Sequence, residues 1–201
     1  HTQTASEVFE VEAEDVTSNM RREAKVINFG IAYGMSPYGL SQDLDISRKE
    51  AEKYIERYFE RFSGVKKYTD EVIEKAQDQG YVTTIFNRRR YIPEINSRNY
   101  HKRSFAERTV INTPIQGSAA DIMKIAMINV YEKLKKEYNQ DEARILLQVH
   151  DELVLEVKNH LLKNVAELVK TEMENAVDLK VPLIADLQVG ENWRDKEDYS
   201  I

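Results

Sequence analysis

The sequence predicts an α+β fold: a mostly helical first half, then helices packed on a small antiparallel sheet. Two observations carry this. Capped helical segments run to about residue 80, and short β-rich runs alternate with two long helical stretches after it. Thr17 or Ser18 is placed to cap a helix from about Met20 to Tyr33. Ser47 with Glu50 three residues on reads as a capping box, opening a helix through Ala51, Tyr54, Ile55, Tyr58 and Phe59. A further helix runs from about Val65 to Gln77, with Gly80 as its stop signal. Tyr81 to Phe86 is β-rich, and Asn87 with the arginines turns the chain back into Tyr91-Ile92, a hairpin pattern. Ser104 to Lys136 is helical in pattern, with Pro114 marking a kink or a start. Ile145 to Val157 holds two apolar β-runs interrupted by His150-Asp151-Glu152. An amphipathic helix over about Leu161 to Ala176 and a last strand over Leu183 to Val189 complete the pattern.

A chain of 201 residues suffices for one good core or two small lobes. With 41% hydrophobic and 32% charged residues it has the composition of an ordinary globular protein. No apolar run approaches the ~20 residues of a membrane span. The start, His1-Thr2-Gln3-Thr4, has no signal-peptide character and no initiator Met, which suggests a piece of something longer. The lack of cysteine excludes disulfides and thiolate–metal sites and fits a reducing cytoplasm. A net charge of −6 argues against nucleic acid, but the charge is unevenly spread. Between Phe86 and Arg108 stand seven basic residues (Arg88, Arg89, Arg90, Arg98, Lys102, Arg103, Arg108) against two acidic ones, Glu94 and Glu107. Such a block can bind phosphates locally on an acidic protein, or simply be a solvated basic loop.

Arg21, Lys25, Phe29 and Tyr33 are spaced by four and so share one slowly rotating helix stripe. Two cations one turn apart repel by a few tenths of a kcal/mol, and a polyanion between them turns that penalty into attraction. The aromatic rings further along can press on a sugar or stack on a base. Gly30 and Gly34 each cost about 1 kcal/mol within a helix, which suggests close approach of another group or a hinge. The competing reading is an amphipathic helix with Phe29 and Tyr33 in the core and the cations solvated. Against it, Val26, Ile27 and Ile31 already make an apolar opposite face.

The fourteen residues Arg21-Arg22-Glu23-Ala24-Lys25-Val26-Ile27-Asn28-Phe29-Gly30-Ile31-Ala32-Tyr33-Gly34 closely resemble motif B of family A DNA polymerases, the fingers helix that binds incoming deoxynucleoside triphosphate. The resemblance implies that Arg21 and Lys25 hold the triphosphate, that Phe29 packs on the sugar and that Tyr33 sits beside the templating base. It makes His1, in a segment similar to that just after motif A, a further triphosphate contact, although a chain end is prone to fray.

Gln148-Val149-His150-Asp151-Glu152-Leu153-Val154-Leu155 sets acids between two apolar strands, which is costly unless they are paired, metal-bound or at an exposed turn. The run resembles motif C of the same family, in the family's order and at a compatible distance from motif B. By that resemblance Asp151 is a catalytic residue and a ligand of a Mg²⁺ pair, Glu152 an accessory catalytic acid, and His150 a neighbour of the primer end. An ordinary hydrogen-bonding role for His150 stays open. Arg108, Asn112 and Gln116 repeat the spacing of four, and Thr113 to Asp121 follows the family's palm helix. Such side chains can address minor-groove acceptors common to all correct base pairs, or form a solvent-facing polar stripe.

The resemblance extends through Gly190-Glu191-Asn192-Trp193 and implies a fingers portion over residues 1–100 and a C-terminal palm portion over 101–201. Motif A, with the second metal-binding aspartate, is expected just before His1 and is absent. Asp198-Tyr199-Ser200 echoes it without its strand context. The implied function is DNA-templated nucleotidyl transfer in the parent protein, with primer–template DNA, deoxynucleotide and the missing N-terminal part of the polymerase as partners. The fragment alone is expected to be inactive. The alternative is a non-catalytic nucleic-acid-binding module of polymerase descent, and the parent sequence upstream of His1 discriminates between the two.

Overall fold

The computed structural model describes residues 1–201, the side chain of Ala32 apart. It divides into two compact units, His1–Gly117 and Ser118–Ile201.

In the first unit, α1 (Thr2–Phe9) and α2 (Ser18–Ala32) precede α3 (Pro37–Leu44), α4 (Arg48–Arg61) and α5 (Ser63–Gln79). Helix starts are set by side chains that accept otherwise unsatisfied backbone N–H groups. Thr17 accepts from Met20 N at 3.2 Å, and Ser36 from Gly39 N at 3.2 Å with Pro37 opening α3. The Ser47–Glu50 capping box forms as expected: Glu50 N donates to Ser47 Oγ at 3.2 Å, and Ser47 N returns a bond to Glu50 Oε2 at 3.0 Å. Gly80, at φ 77°, ends α5 in the left-handed conformation that glycine adopts at least cost. Val8, Ile27, Ile31, Leu40, Ala51 and Tyr58 form the core that binds α1–α4 together. Neither α1 nor α3 was anticipated from the sequence; each is only eight residues long, too short for a clear period.

The hairpin is β1 (Tyr81–Thr83) paired antiparallel with β2 (Arg89–Tyr91). β1 stops short of Phe86 because Thr84 Oγ1 accepts from Phe86 N and Arg88 N at 3.3 and 3.2 Å, closing the turn, with Asn87 at φ 61°. Val82, Ile92, Ile95 and Ala76 pack with Ala106 and Val110 from α6 (Tyr100–Glu137). That packing carries the first unit into α6, as far as Gly117. α6 is one helix that runs through Pro114, so the proline is neither its start nor its end. Pro114 has no N–H for the carbonyl four residues back. One residue earlier, Thr113 Oγ1 donates to Thr109 O at 2.7 Å.

The second unit holds the rest of α6, the hairpin β3 (Ala143–Val149) and β4 (Glu152–Val157), α7 (Leu162–Glu174), and a final hairpin of β5 (Gln188–Gly190) and β6 (Lys196–Asp198). Val130 and Leu134 of α6, Ala143 of β3, and Val165 and Val169 of α7 make its core. The β3–β4 register shifts between Ile145 and Leu147, a local irregularity in an otherwise regular ladder. The expected strand over Leu183–Val189 is mostly absent: the ladder is Gln188–Gly190 against the three residues of β6, extended by one bond from Tyr199 N to Leu187 O at 2.8 Å. The three two-stranded sheets with their helices bear out the α+β expectation.

Ile27 is fully buried, so Ile27→Ala should lower stability by about 2–5 kcal/mol, read as a drop in denaturant midpoint. Glu50 gives a pH test. Its carboxyl is held below its ordinary value, first by the Ser47 hydroxyl and then by the Ser47 backbone N–H. A depressed folded-state value stabilises above the unfolded carboxylate range and fades as pH falls through the folded value. Glu50→Ala should therefore lower Tm at neutral pH, and the gap to wild type should close on acidification.

Candidate nucleotide and nucleic-acid interface

Burial decides which side of α2 is which. Ala24, Ile27 and Ile31 face the core, whereas Phe29 and Tyr33 remain 45% and 41% exposed and Arg21 and Lys25 are exposed. The stripe spaced by four is thus a surface stripe, and the reading with Phe29 and Tyr33 in the core is not what forms. The two rings stack at 6.0 Å with an interplanar angle of 13°. Lys25 Nζ stands 5.9 Å from the Phe29 centroid, and the His1 ring lies 6.0 Å from Phe29 on the same side chain cluster. Solvated aromatic rings flanked by cations make a ready surface for an anionic ligand with a planar group.

His1 is tied down rather than frayed. Asn28 Nδ2 donates to His1 Nδ1 at 2.9 Å and to Thr4 Oγ1 at 3.0 Å, and Thr4 Oγ1 donates back to Asn28 Oδ1 at 3.3 Å. Asn28 is a positioning side chain that sequence reasoning missed, although it directly precedes Phe29 and so stood in plain view. Gly34, at φ 66°, brings the end of this stripe against α6: a Cβ there would lie 3.0 Å from Ile111 Cδ1 and 3.1 Å from Arg108 Cγ. The close approach inferred from that glycine is therefore real, and what approaches is Ile111 together with Arg108.

Arg108, Asn112 and Gln116 follow one another along α6, the first two half-buried and the last exposed. Arg108 Nη1 donates to Ser104 Oγ at 3.0 Å, and its guanidinium lies 5.9 Å from the ring of Phe105, which is 64% exposed. The neighbouring basic block is partly engaged within the protein. Arg88 Nη2 donates to Gly117 O and Arg90 Nη1 to Thr113 Oγ1, both at 3.1 Å, so the β1–β2 hairpin is laced to α6. Arg89 instead lies 4.8 Å over the Tyr81 ring.

In the second unit, His150 and Asp151 are the two residues between Val149 and Glu152, which pair directly. His150 adopts φ 52°, and its carbonyl accepts from Gln148 Nε2 at 2.7 Å. Asp151 is exposed at the tip, which resolves the cost of a carboxylate between apolar strands. Glu152 is engaged instead: Oε1 accepts from Trp193 Nε1 at 2.6 Å, and Oε2 lies 3.7 Å from Lys196 Nζ. Trp193 and Lys196 were not singled out from the sequence, because nothing in their spacing points to residue 152. Among the described residues no three acidic, histidine or cysteine side chains gather as a metal site. Asp198 closes β6, where its Oδ1 accepts from Gln188 Nε2 at 3.0 Å.

Residues 1–195 match the family model described as DNA polymerase family A. The chain is 56% identical over 195 residues to the DNA polymerase I of Geobacillus stearothermophilus and 55% identical over 195 residues to that of Bacillus subtilis. Each match covers 97% of this chain but 22% of the relative, so the chain spans about a fifth of the length of these proteins. Among solved structures it resembles the POL domain of Pol1 from M. smegmatis in complex with DNA primer-template and dNTP. That likeness has a TM-score of 0.85 and 47% identity, and covers 91% of this chain and 32% of the other.

The contact at Gly34 is directly testable. Gly34→Ala should lower the urea midpoint, because left-handed backbone costs an L-residue about 1–2 kcal/mol and the new methyl crowds Arg108 and Ile111. Gly64→Ala, where a Cβ meets nothing within 4 Å, should leave stability unchanged or raised.

Proposed function

The chain belongs to DNA polymerase family A, and we propose that it carries the nucleotide-binding surface and part of the catalytic apparatus of a DNA-templated DNA polymerase. The observation that carries this is the outward stripe of Arg21, Lys25, Phe29 and Tyr33 on a helix whose other face is buried. The parent protein adds deoxynucleotides to a primer 3′-hydroxyl, with primer–template DNA and dNTP as its ligands, and acts in the cytoplasm. Residues around 1–100 serve as the fingers portion and 101–201 as the palm portion, with the N-terminal remainder of the polymerase as the structural partner.

Arg21 grips the triphosphate through its two-pronged guanidinium, and Lys25 adds a point charge one turn on. His1, oriented by Asn28, contacts the same phosphates. The Phe29 ring bears on the deoxyribose, and Tyr33, stacked beside it, meets the templating base. Arg108, Asn112 and Gln116 read minor-groove acceptors, which sense correct pairing without demanding a sequence. His150 lies by the primer end.

Enzymes of this family are metal-dependent, and Mg²⁺ is the ion proposed here, since hard oxygen donors suit it. A pair of such ions stabilises the attacking and departing oxygens of phosphoryl transfer. The residues present do not complete that site. Asp151 supplies one exposed carboxylate, while both oxygens of Glu152 face Trp193 and Lys196. Asp151 is thus proposed as one ligand, with Glu152 as an accessory acid.

From a single metal-binding aspartate, the 201-residue chain by itself should show no primer extension with Mg²⁺; robust extension would refute the assignment. In the parent polymerase, Asp151→Asn should abolish turnover with DNA affinity nearly unchanged, whereas Arg21→Ala or Lys25→Ala should chiefly weaken nucleotide binding. Phe29 decides the nucleotide site. A dideoxynucleotide lacks the 3′-hydroxyl that bonds its own phosphate, and a tyrosine hydroxyl can take its place. One hydrogen bond to a charged group is worth roughly 1.5–3 kcal/mol, about ten- to hundred-fold. Phe29→Tyr should raise the kcat/KM for dideoxynucleotide relative to deoxynucleotide by that factor, and an unchanged ratio in a folded variant would remove Phe29 from the sugar.

A further inference from the structure

Asp151 is exposed, but both of its chain neighbours are tied down. On one side Gln148 Nε2 holds the His150 carbonyl at 2.7 Å, with His150 in a left-handed conformation at φ 52°. On the other, the Glu152 carboxylate takes the Trp193 indole N–H at 2.6 Å on one oxygen and lies 3.7 Å from Lys196 Nζ on the other. All of these residues belong to the second unit.

The loop that delivers Trp193 is closely determined. Gly190 starts it where a Cβ would lie 2.1 Å from Asp195 O, so no other residue fits. Asn192 Oδ1 then accepts from Arg194 N at 3.0 Å and Asp195 N at 2.9 Å, folding the segment between β5 and β6 into a fixed turn. An indole whose task was packing would be buried, yet Trp193 is 49% exposed and its one polar atom is aimed at a carboxylate. Lys196, which completes the clamp, lies just past the last residue of the family match.

We propose that Trp193 and Lys196 are positioning residues that fix the Asp151 carboxylate by holding Glu152, its chain neighbour. The inference rests on the polymerase reading of Asp151. A catalytic group must be kept within about 0.5 Å of its productive place by partners that are themselves locked. Here Glu152 is the handle: beside its accessory role, its engaged oxygens let it set the geometry of the turn. Partners that orient a metal ligand typically matter by about 10–100-fold in activity.

The test is made in the parent polymerase. Trp193→Phe keeps a ring and removes the N–H; it should lower kcat about ten-fold, with nucleotide KM and primer–template affinity unchanged. Lys196→Met should lower kcat less, and Lys196→Arg should restore it. A readout independent of activity comes from 5-fluorotryptophan labelling. The ¹⁹F resonance that disappears in Trp193→Phe should shift in Glu152→Ala, because the partner of the indole is gone. Wild-type kcat in Trp193→Phe, or a Trp193 resonance indifferent to Glu152→Ala, would overturn the inference. So would losses in kcat that merely track losses in Tm across the variants. Activity retained by Asp151→Asn is a different failure, one that removes the reading of Asp151 itself.

Discussion

Ala24, Ile27 and Ile31 can leave water only by turning toward Val8, Leu40, Ala51 and Tyr58, and that one rotation of α2 settles where its other side chains point. Burying Ile27 and Ile31 favours this orientation by roughly 1.5–3 kcal/mol each, and Ala24 adds less. No exposed contact on the opposite face approaches that sum. Phe29 and Tyr33 therefore stay in solvent at an energetic disadvantage that the helix as a whole tolerates. Gly34 then lets the chain leave α2 in a left-handed conformation with Arg108 against it. The outward stripe of Arg21, Lys25, Phe29 and Tyr33 is thus a by-product of packing, which is why it is already formed in the free chain.

Much of this was legible in the sequence, for physical reasons that differ by element. The helix caps at Thr17 and Ser47 and the stop at Gly80 were readable because each depends on one local hydrogen bond or one backbone angle. The stripe on α2 was readable because helical spacing maps directly to a face, although spacing alone left its direction open. Strand ends were not readable. β1 stops at Thr83 through a side-chain capture of the turn by Thr84, and β5 is limited by what β6 can offer. Both are decided by partners rather than by propensity. Whether Pro114 kinks the helix or starts it stayed open for the same reason: a proline's cost of ~3 kcal/mol can be outweighed by packing on both sides of it, and no local rule reports that. At the candidate site, the Asn28–His1 and Trp193–Glu152 contacts escaped because they join residues 27 and 41 positions apart, although Asn28 itself stands beside Phe29.

The tip of the β3–β4 hairpin shows how a fold can keep a carboxylate among apolar strands without distortion. Placing Asp151 at the solvent end of a two-residue connection removes the desolvation cost, and the left-handed backbone of His150 makes so short a connection possible. The adjacent acid is handled differently. Glu152 opens β4 and is satisfied by an indole N–H and an ammonium group from the last hairpin. Two neighbouring carboxylates therefore sit in unlike surroundings, one hydrated and one engaged, and unlike surroundings are what allow like residues to differ in role.

The ion pairs within the basic block bear on how binding to any polyanion would respond to ionic strength. Counterion release scales with the number of phosphates a protein neutralises, not with the cations in its sequence. Arg88 and Arg90 donate to the neutral Gly117 O and Thr113 Oγ1 and keep their charge, whereas Arg103 lies 3.7 Å from Glu107. Lys102 is likewise 3.7 Å from Glu94. Fewer than the seven basic side chains between Phe86 and Arg108 are at liberty to displace sodium or potassium ions from a polyanion. The block would contribute a shallower slope of log affinity against log salt than its composition implies, leaving a larger share of its binding intact at high ionic strength.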